Sequence, residues 1–306
     1  MSVMESMQPS VDARRALPEP RAVLTLLKPI TWFPPIWAYL CGIVSVGANP
    51  LDSWALVLLG MVLAGPIVCG MSQAANDWCD REVDAINEPD RPIPSGRVPG
   101  RWGLWIALAM SGLALVVGWQ LGPWGFGATI LGVLAAWAYS AEPVRLKRSG
   151  IAGPGLVGLS YETLPWFTGA AVLSAGAPSP EIVTIALLYG IGAHGIMTLN
   201  DFKALEGDRQ TGVNSLPVTL GPERAARVAA WVMILPQIAV FTLLAGWGQT
   251  WHALAIAVLI AGQLWAARVM MRDPKAKAPW FNGTGVAMYV SGMMIAAFAL
   301  RGLGGL

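Results

Sequence analysis

Two short strings hold the residues whose types and spacing could do chemistry. NDWCDREVD begins at Asn76 and NDFKALEGD at Asn200, and each opens with Asn-Asp at the end of a long apolar stretch. In the first, Asp77, Asp80 and Asp84 are spaced i, i+3 and i+7, so a helical continuation lines all three along one face with Asn76 beside Asp80. Like charges so placed repel unless a cation neutralises them, and an all-oxygen ligand set selects Mg²⁺ over a thiolate-seeking metal. The second string offers Asp201 and Asp208, seven residues apart, with Glu206 between them and Lys203 close by; Gly207 is expected to break the helix there. The first string taken alone also has a bland reading, a solvated polar end of a loop. Two carboxylate-rich loops on one side are better explained by a shared cation-bridged polyphosphate, with carboxylates holding divalent ions and nearby guanidinium or ammonium groups neutralising a leaving group. Departure of diphosphate from an allylic carbon leaves a delocalised cation, which needs no Ser-His-Asp device.

The elements that must position these loops are set by composition. The chain has 306 residues, 55% hydrophobic and only 12% charged, with a mean hydropathy of +0.55. Roughly a quarter of an ordinary soluble domain is charged, so a soluble reading is excluded. Apolar stretches place spans at about 30–47, 54–74, 104–119, 123–140, 151–173, 181–199, 225–246, 251–270 and 285–303. The expected fold is an all-α polytopic membrane protein of nine transmembrane helices.

Nineteen of the twenty lysines and arginines fall on the N-terminal segment and on four alternate connections. The positive-inside rule then puts the N-terminus and both acidic loops in the cytoplasm and the C-terminus opposite. The organisation expected is a cytoplasmic segment 1–27 and one intramembrane domain 28–306, with cap loops at about 75–103 and 200–224. No apolar run precedes the early basic residues, so the first span is expected to remain as an anchor. A net charge of +2 with no basic block argues against nucleic acid as a partner. Cys41, Cys69 and Cys79 form no metal or disulfide spacing and are read as reduced thiols.

The first string matches in full the NDxxDxxxD signature of the UbiA-type intramembrane prenyltransferase superfamily, through Asn76, Asp77, Asp80 and Asp84. The second departs from that superfamily's usual DxxxD, because position 205 is Leu, so Asp201 and Asp208 are assigned with Glu206 as a helper. That departure resembles the chlorophyll and bacteriochlorophyll synthase branch, as do DREVDAINEPDRPIPSGR at 80–97, YSAEPVRLKRSG at 139–150 and KPITWFPPIWAY at 28–39. Within it, the short N-terminal extension is more similar to the bacteriochlorophyll members than to the plant or cyanobacterial ones.

The resemblance implies nine helices around a central cavity, Mg²⁺ as cofactor, and esterification of the propionate of bacteriochlorophyllide by geranylgeranyl or phytyl diphosphate. Its nucleophile is the substrate's own carboxylate. It also implies a bacterial inner or photosynthetic intracytoplasmic membrane as the location, the lipid bilayer as surroundings, and pigment-biosynthesis or pigment-carrier proteins as partners. It makes Asn76, Asp77, Asp80, Asp84, Asp201 and Asp208 the metal and catalytic set. Lys147 and Arg148, with Arg145, become contacts for diphosphate or for the macrocycle's carboxylate, although all three serve equally as positive-inside anchors. Arg91 either positions substrate or organises its proline-stiffened loop. Asn200, Lys203, Glu206 and Arg209 complete the second loop's substrate contacts.

Glu162 is the costliest residue in the apparent membrane interior and should face a cavity or a partner. With Tyr161 it either contacts substrate or makes an interhelical hydrogen bond. His194 is read as a packed helix residue or a substrate contact, and His252 as structural. Trp32, Trp37, Trp166 and Trp280 either line a pigment-sized cavity or anchor the helices. Quinone precursors, haem and chlorophyllides all remain open as acceptors on residue grounds. A transporter is the alternative outside enzymes, but it predicts charge spread through the membrane rather than gathered in two same-side loops.

Overall fold

The computed structural model describes residues 17–303, so Arg14 and Arg15 of the N-terminal basic cluster lie outside the described residues. The architecture is all-α. A short helix, Pro20–Leu26, leads through a turn into Phe33–Ser45. Then come Pro50–Asn87, Trp102–Trp119, Gly122–Ser140, a helix over 152–174, Pro180–Asp201, the short Leu205–Thr211 and Leu216–Leu220, Pro222–Gly246, Thr250–Met270 and Pro274–Arg301. Proline at the first or second position opens many of them, where its missing N–H is not needed. Ser179 and Asp273 add side-chain caps, accepting from the Ile182 and Ala276 amides at 3.4 and 3.1 Å.

Six helices among the described residues are long and apolar enough to cross a membrane: 50–87, 102–119, 180–201, 222–246, 250–270 and 274–301. The other three expected spans are present as helices but fall short of that standard. Phe33–Ser45 has 13 residues. Helices 122–140 and 152–174 are diluted by glycine, proline and polar residues, Glu162 among them. Residues such as Glu162, Gly132 and Gly158 line the cavity, and they lower the mean hydropathy of these helices.

Helices 33–45, 180–201, 222–246, 250–270 and 274–301 share one large apolar core with the fully buried Trp166. Close approach depends on glycine. A Cβ on Gly42 would stand 2.0 Å from the Trp166 carbonyl oxygen, so helix 33–45 lies directly on the backbone of helix 152–174. Inside the bundle, Gln237 and Gln263 each donate an amide N–H to the other's oxygen at 2.9 Å, satisfying two buried side chains that no water reaches.

Two helices carry π-helical segments, Leu63–Cys69 around Pro66 and Leu159–Thr163. The second has a clear reason. Gly158 and Thr163, five apart, both pack against Gly190: a Cβ on Gly158 would meet the Gly190 carbonyl oxygen at 2.3 Å, and one on Gly190 would meet Thr163 Oγ1 at 2.0 Å. Thr163 Oγ1 also donates to the Ala186 carbonyl at 3.0 Å. In a regular α-helix the position below Gly158 belongs to residue i+4, which is Glu162; the wider i+5 turn gives it to Thr163 and leaves Glu162 to face elsewhere.

Three local expectations are corrected. Gly207 lies inside helix Leu205–Thr211, and the chain breaks at 202–204, just after Asp201. The cap region at 75–103 begins as helix, since 50–87 runs on to Asn87. Trp166 packs in the core, stacked on Tyr189 with its indole N–H on Ser45 Oγ at 3.0 Å, while Trp37 donates to the Val290 carbonyl at 2.9 Å. Neither is among the residues that line the large interhelical cavity.

Candidate active site

A cavity of about 1170 Å³ runs between the helices, with mostly apolar walls. Two helices present the same stripe to it. Cys69, Ser72, Gln73 and Asn76 follow i, i+3, i+4 and i+7, and so do Ala193, Ile196, Met197 and Asn200. Each stripe ends at the Asn that opens an acidic string, so both strings emerge at one end of one cavity. Tyr139 lies between them, close enough to Asp201, Asp80 and Asp208 to feel all three charges.

The first string is held by cations. Asp77, 1% exposed, takes Lys28 Nζ at 2.7 Å and Arg91 Nη1 at 3.4 Å on one oxygen, and its Oδ2 is buried without a partner. Arg91 also reaches Asp84 at 2.8 Å and bonds Glu88. Asp80 is clamped by Arg145 at 2.8 Å and by Lys147. Arg145 and Arg148 share Glu142, at 3.0 and 2.8 Å. Burial pushes the Lys147 ammonium below the ordinary lysine range, against the raising effect of Asp80.

Lys28 and Arg145 are two of the three non-glycine residues with positive φ among the described residues, at +46° and +34°. Such backbone is held only where surroundings enforce it, and here both residues deliver a cation to a motif aspartate. Lys28 was assigned on sequence grounds only to the basic N-terminal cluster. Its signal is the KPITWFPP string, whose prolines start a new turn immediately after the lysine.

The second string has no such neutralisation. Asp201 and Asp208 interact with each other, and among the described residues neither has an ion-pair partner. Burial pushes the Asp208 carboxyl above its usual range. Asn200 Oδ1 accepts from Asn282 at 2.6 Å, and Lys203 lines the cavity's end. Glu206 and Arg209 are exposed on helix 205–211, 4.0 Å apart. His194 is not among the cavity-lining residues; Thr198 Oγ1 is 3.4 Å from its Nδ1.

Deeper in the cavity, Tyr161 Oη meets Cys69 Sγ at 3.2 Å and the Gln73 amide at 3.1 Å. Glu162, 4% exposed, lines the same space with one oxygen unpartnered. A separate groove of about 440 Å³ lies outside, where the loop bearing Arg145 and Arg148 meets residues 214–219. There the Gly150 N–H donates to the Asn214 carbonyl at 2.9 Å and the Asn214 N–H to the Arg148 carbonyl at 3.0 Å, a two-bond bridge joining the loops behind the two strings.

The donors suit a hard divalent cation. All are oxygen or amide groups, one oxygen of Asp77 is free, and neither Asp201 nor Asp208 is tied up in an ion pair among the described residues. Among the described residues no three acidic, histidine or cysteine side chains converge on a common point. The expected single cluster is thus divided, because the first-string carboxylates are turned to the flanking cations Lys28, Arg91, Arg145 and Lys147.

An all-helical membrane bundle whose apolar cavity ends among opposed carboxylates and cations is built to take a long apolar substrate with an anionic head. Residues 32–293 match the UbiA prenyltransferase family. The chain is 72% identical over 303 residues to a bacteriochlorophyll synthase 33 kDa chain of Cereibacter sphaeroides, covering 99% of each. It is 66% identical over 300 residues to the protein of the same name from Rhodobacter capsulatus, covering 97% of this chain and 99% of that one. A structure of a UbiA homolog from Archaeoglobus fulgidus, bound to DMAPP and Mg²⁺, superposes with a TM-score of 0.66 at 21% identity, over 92% of this chain and 99% of that one. The chain belongs to the UbiA prenyltransferase family and is a prenyltransferase.

Proposed function

We propose that this prenyltransferase esterifies the propionate carboxylate of bacteriochlorophyllide a with the polyprenyl group of geranylgeranyl or phytyl diphosphate. The carrying observation is the long apolar cavity ending between the two acidic strings, in a chain 72% identical to a bacteriochlorophyll synthase chain. The propionate oxygen bonds to the first prenyl carbon, the allylic C–O bond breaks, and its electron pair leaves on diphosphate. The acceptor arrives ionised, so no protein base is required.

Asn76, Asp77, Asp80, Asp84, Asp201 and Asp208 would hold Mg²⁺, which supplies charge neutralisation to the diphosphate when bound. Arg145, Lys147, Arg148, Arg91, Lys28 and Lys203 are the cations at hand for the leaving group's oxygens. Apolar walls exclude water, which would otherwise compete for an allylic cation. The exposed Glu206 and Arg209 stand at the rim, and His194 has no role in this reading.

We further read helices 33–45, 122–140 and 152–174 as spans beside the six longer ones, giving nine in a single domain 28–306. The basic ends are cytoplasmic and the C-terminus opposite, in a bacterial inner or intracytoplasmic photosynthetic membrane. Pigment-carrier proteins are the partners this location favours.

The test is incubation of the purified protein in nanodiscs with Mg²⁺, geranylgeranyl diphosphate and either bacteriochlorophyllide or chlorophyllide, following ester by chromatography and released diphosphate. Ester with bacteriochlorophyllide is expected. Failure of both pigments while a phenolic acceptor is prenylated would overturn the reading.

A further inference from the structure

Glu162 is the one acidic side chain among the described residues that line the cavity. It is 4% exposed, its Oε2 has no hydrogen-bond partner, and among the described residues no lysine, arginine or histidine pairs with it. A carboxyl left in that condition within a bilayer is destabilising and persists where a ligand or function compensates it. The fold has gone further than tolerating it. The π turn at Leu159–Thr163 gives the contact face against Gly190 to Thr163, so Glu162 is turned away from that contact and lines the cavity.

The nature of the compensating group follows by exclusion. A prenyl chain has no polar atom beyond its diphosphate and offers a carboxyl nothing. A magnesium tetrapyrrole brings a hard cation with an open axial position, and anionic oxygen is a preferred ligand for Mg²⁺. Histidine, the common alternative, is absent from the cavity wall among the described residues. Depth agrees as well. Tyr161, the residue before Glu162 and therefore about 1.5 Å from it along the axis, bonds Cys69 and Gln73, which lie roughly 5–10 Å along their own helix below Asn76. That is comparable to the reach from the centre of a macrocycle to its propionate carboxyl, so a ring centred at Glu162 presents its carboxylate near the acidic strings.

We propose that Glu162 is the axial ligand of the acceptor's central magnesium, selecting metallated macrocycles and fixing the ring so that its propionate reaches the diphosphate end of the cavity. This rests on the tetrapyrrole reading above. Glu162 is a substrate-binding and specificity residue here; it transfers no proton and forms no covalent bond.

The experiment compares binding of bacteriochlorophyllide and its metal-free counterpart to the protein in nanodiscs, by fluorescence titration, with the visible absorption band that responds to magnesium coordination number as a second readout. Wild type is expected to bind the magnesium form roughly tenfold or more tightly than the metal-free form, with a coordination shift in the band. Glu162→Leu should abolish both the preference and the shift while leaving KM for geranylgeranyl diphosphate unchanged. Glu162→Gln, which keeps the shape and a weaker oxygen ligand, should fall between, and it serves if the leucine variant does not fold. Equal wild-type binding of the two macrocycles would overturn the proposal. So would parallel weakening of both in the variants, which would mean a hydrogen bond to the ring's edge, or a raised KM for the diphosphate alone. If wild type binds neither macrocycle and prenylates a phenol instead, the tetrapyrrole reading itself fails, an outcome distinct from the others.

Discussion

Lys28→Met tests whether the acidic site depends on a cation brought from outside both strings. Asp77 is 1% exposed and one of its oxygens has no partner, so its charge rests on Lys28 at 2.7 Å and Arg91 at 3.4 Å. Arg91 is itself divided between Asp84 and Glu88, so it cannot replace the lost ammonium without abandoning them. Removing one partner of a fully buried pair typically destabilises by about 3–5 kcal/mol. Lys28 is 27% exposed, and solvent takes over part of its role, which lowers the expectation to about 1–3 kcal/mol. If the loss falls on the folded state, the thermal midpoint in detergent drops by about 2–8 °C. If it falls on the site's ability to balance diphosphate charge, prenyl transfer at saturating substrates slows by roughly 5- to 150-fold. Lys28→Arg keeps the charge on a different geometry and should recover much of the stability but less of the rate. The assay is ester formation with Mg²⁺ in nanodiscs beside thermal unfolding of the same preparation. A Lys28→Met protein with wild-type midpoint and wild-type rate would refute the claim that this contact neutralises Asp77.

Asp80→Asn should reduce Mg²⁺-dependent transfer by roughly 100-fold or more, since Asp80 meets both Arg145 and Lys147, while the amount of folded protein in the membrane stays near wild type; comparable loss of folded protein would make Asp80 structural. Gly150→Val puts a Cβ 2.6 Å from the Asn214 carbonyl oxygen, and the bridge between the two cap loops must open. KM for the diphosphate should rise at unchanged membrane insertion, and an unchanged KM would show the bridge to be incidental. Chelation of divalent ions should abolish transfer and Mg²⁺ restore it. Because burial raises the Asp208 pKa, its protonated fraction grows as pH falls toward that value, so the Mg²⁺ concentration giving half-maximal rate should increase on acidification; Asp208→Asn should flatten that dependence.

The spans and the first string were legible because each rests on a local rule. Asp77, Asp80 and Asp84 fall on one side of helix 50–87 by spacing alone, and alternate basic loops mark one end of the bundle. What escaped is what distance along the chain conceals. Lys28 meets Asp77 across 49 residues and Arg145 meets Asp80 across 65, so neither pairing has a periodic signature. Gly207 was expected to break a helix by propensity, yet the helix persists through it, an ordinary override of a penalty near 1 kcal/mol. The tryptophans offered no directional signal: Trp166 is core because Gly42 brings helix 33–45 onto its backbone, a contact between residues more than 120 positions apart. The π turn was equally hidden, for only the glycine at position 190 explains why Thr163 rather than Glu162 faces helix 180–201.

The two strings look alike in sequence and differ in charge state, and that difference bears on how such a site takes up its substrate. Around the first, three aspartates meet Lys28, Arg91, Arg145 and Lys147, so the carboxylates and cations nearly cancel. Around the second, Asp201 and Asp208 face each other with no ion-pair partner among the described residues, Asp208 having only the Ser215 hydroxyl. A bare diphosphate would be repelled by the second, whereas a divalent cation alone would find the first string's carboxylates already paired. Only the two together satisfy both halves, and each cation drawn from an aspartate to a diphosphate oxygen leaves that carboxylate free for metal. Uptake of metal and diphosphate should therefore be mutually reinforcing, and the bridge through Gly150 and Asn214 ties the Arg145 loop to the segment behind Asp208, a direct mechanical link between the two halves.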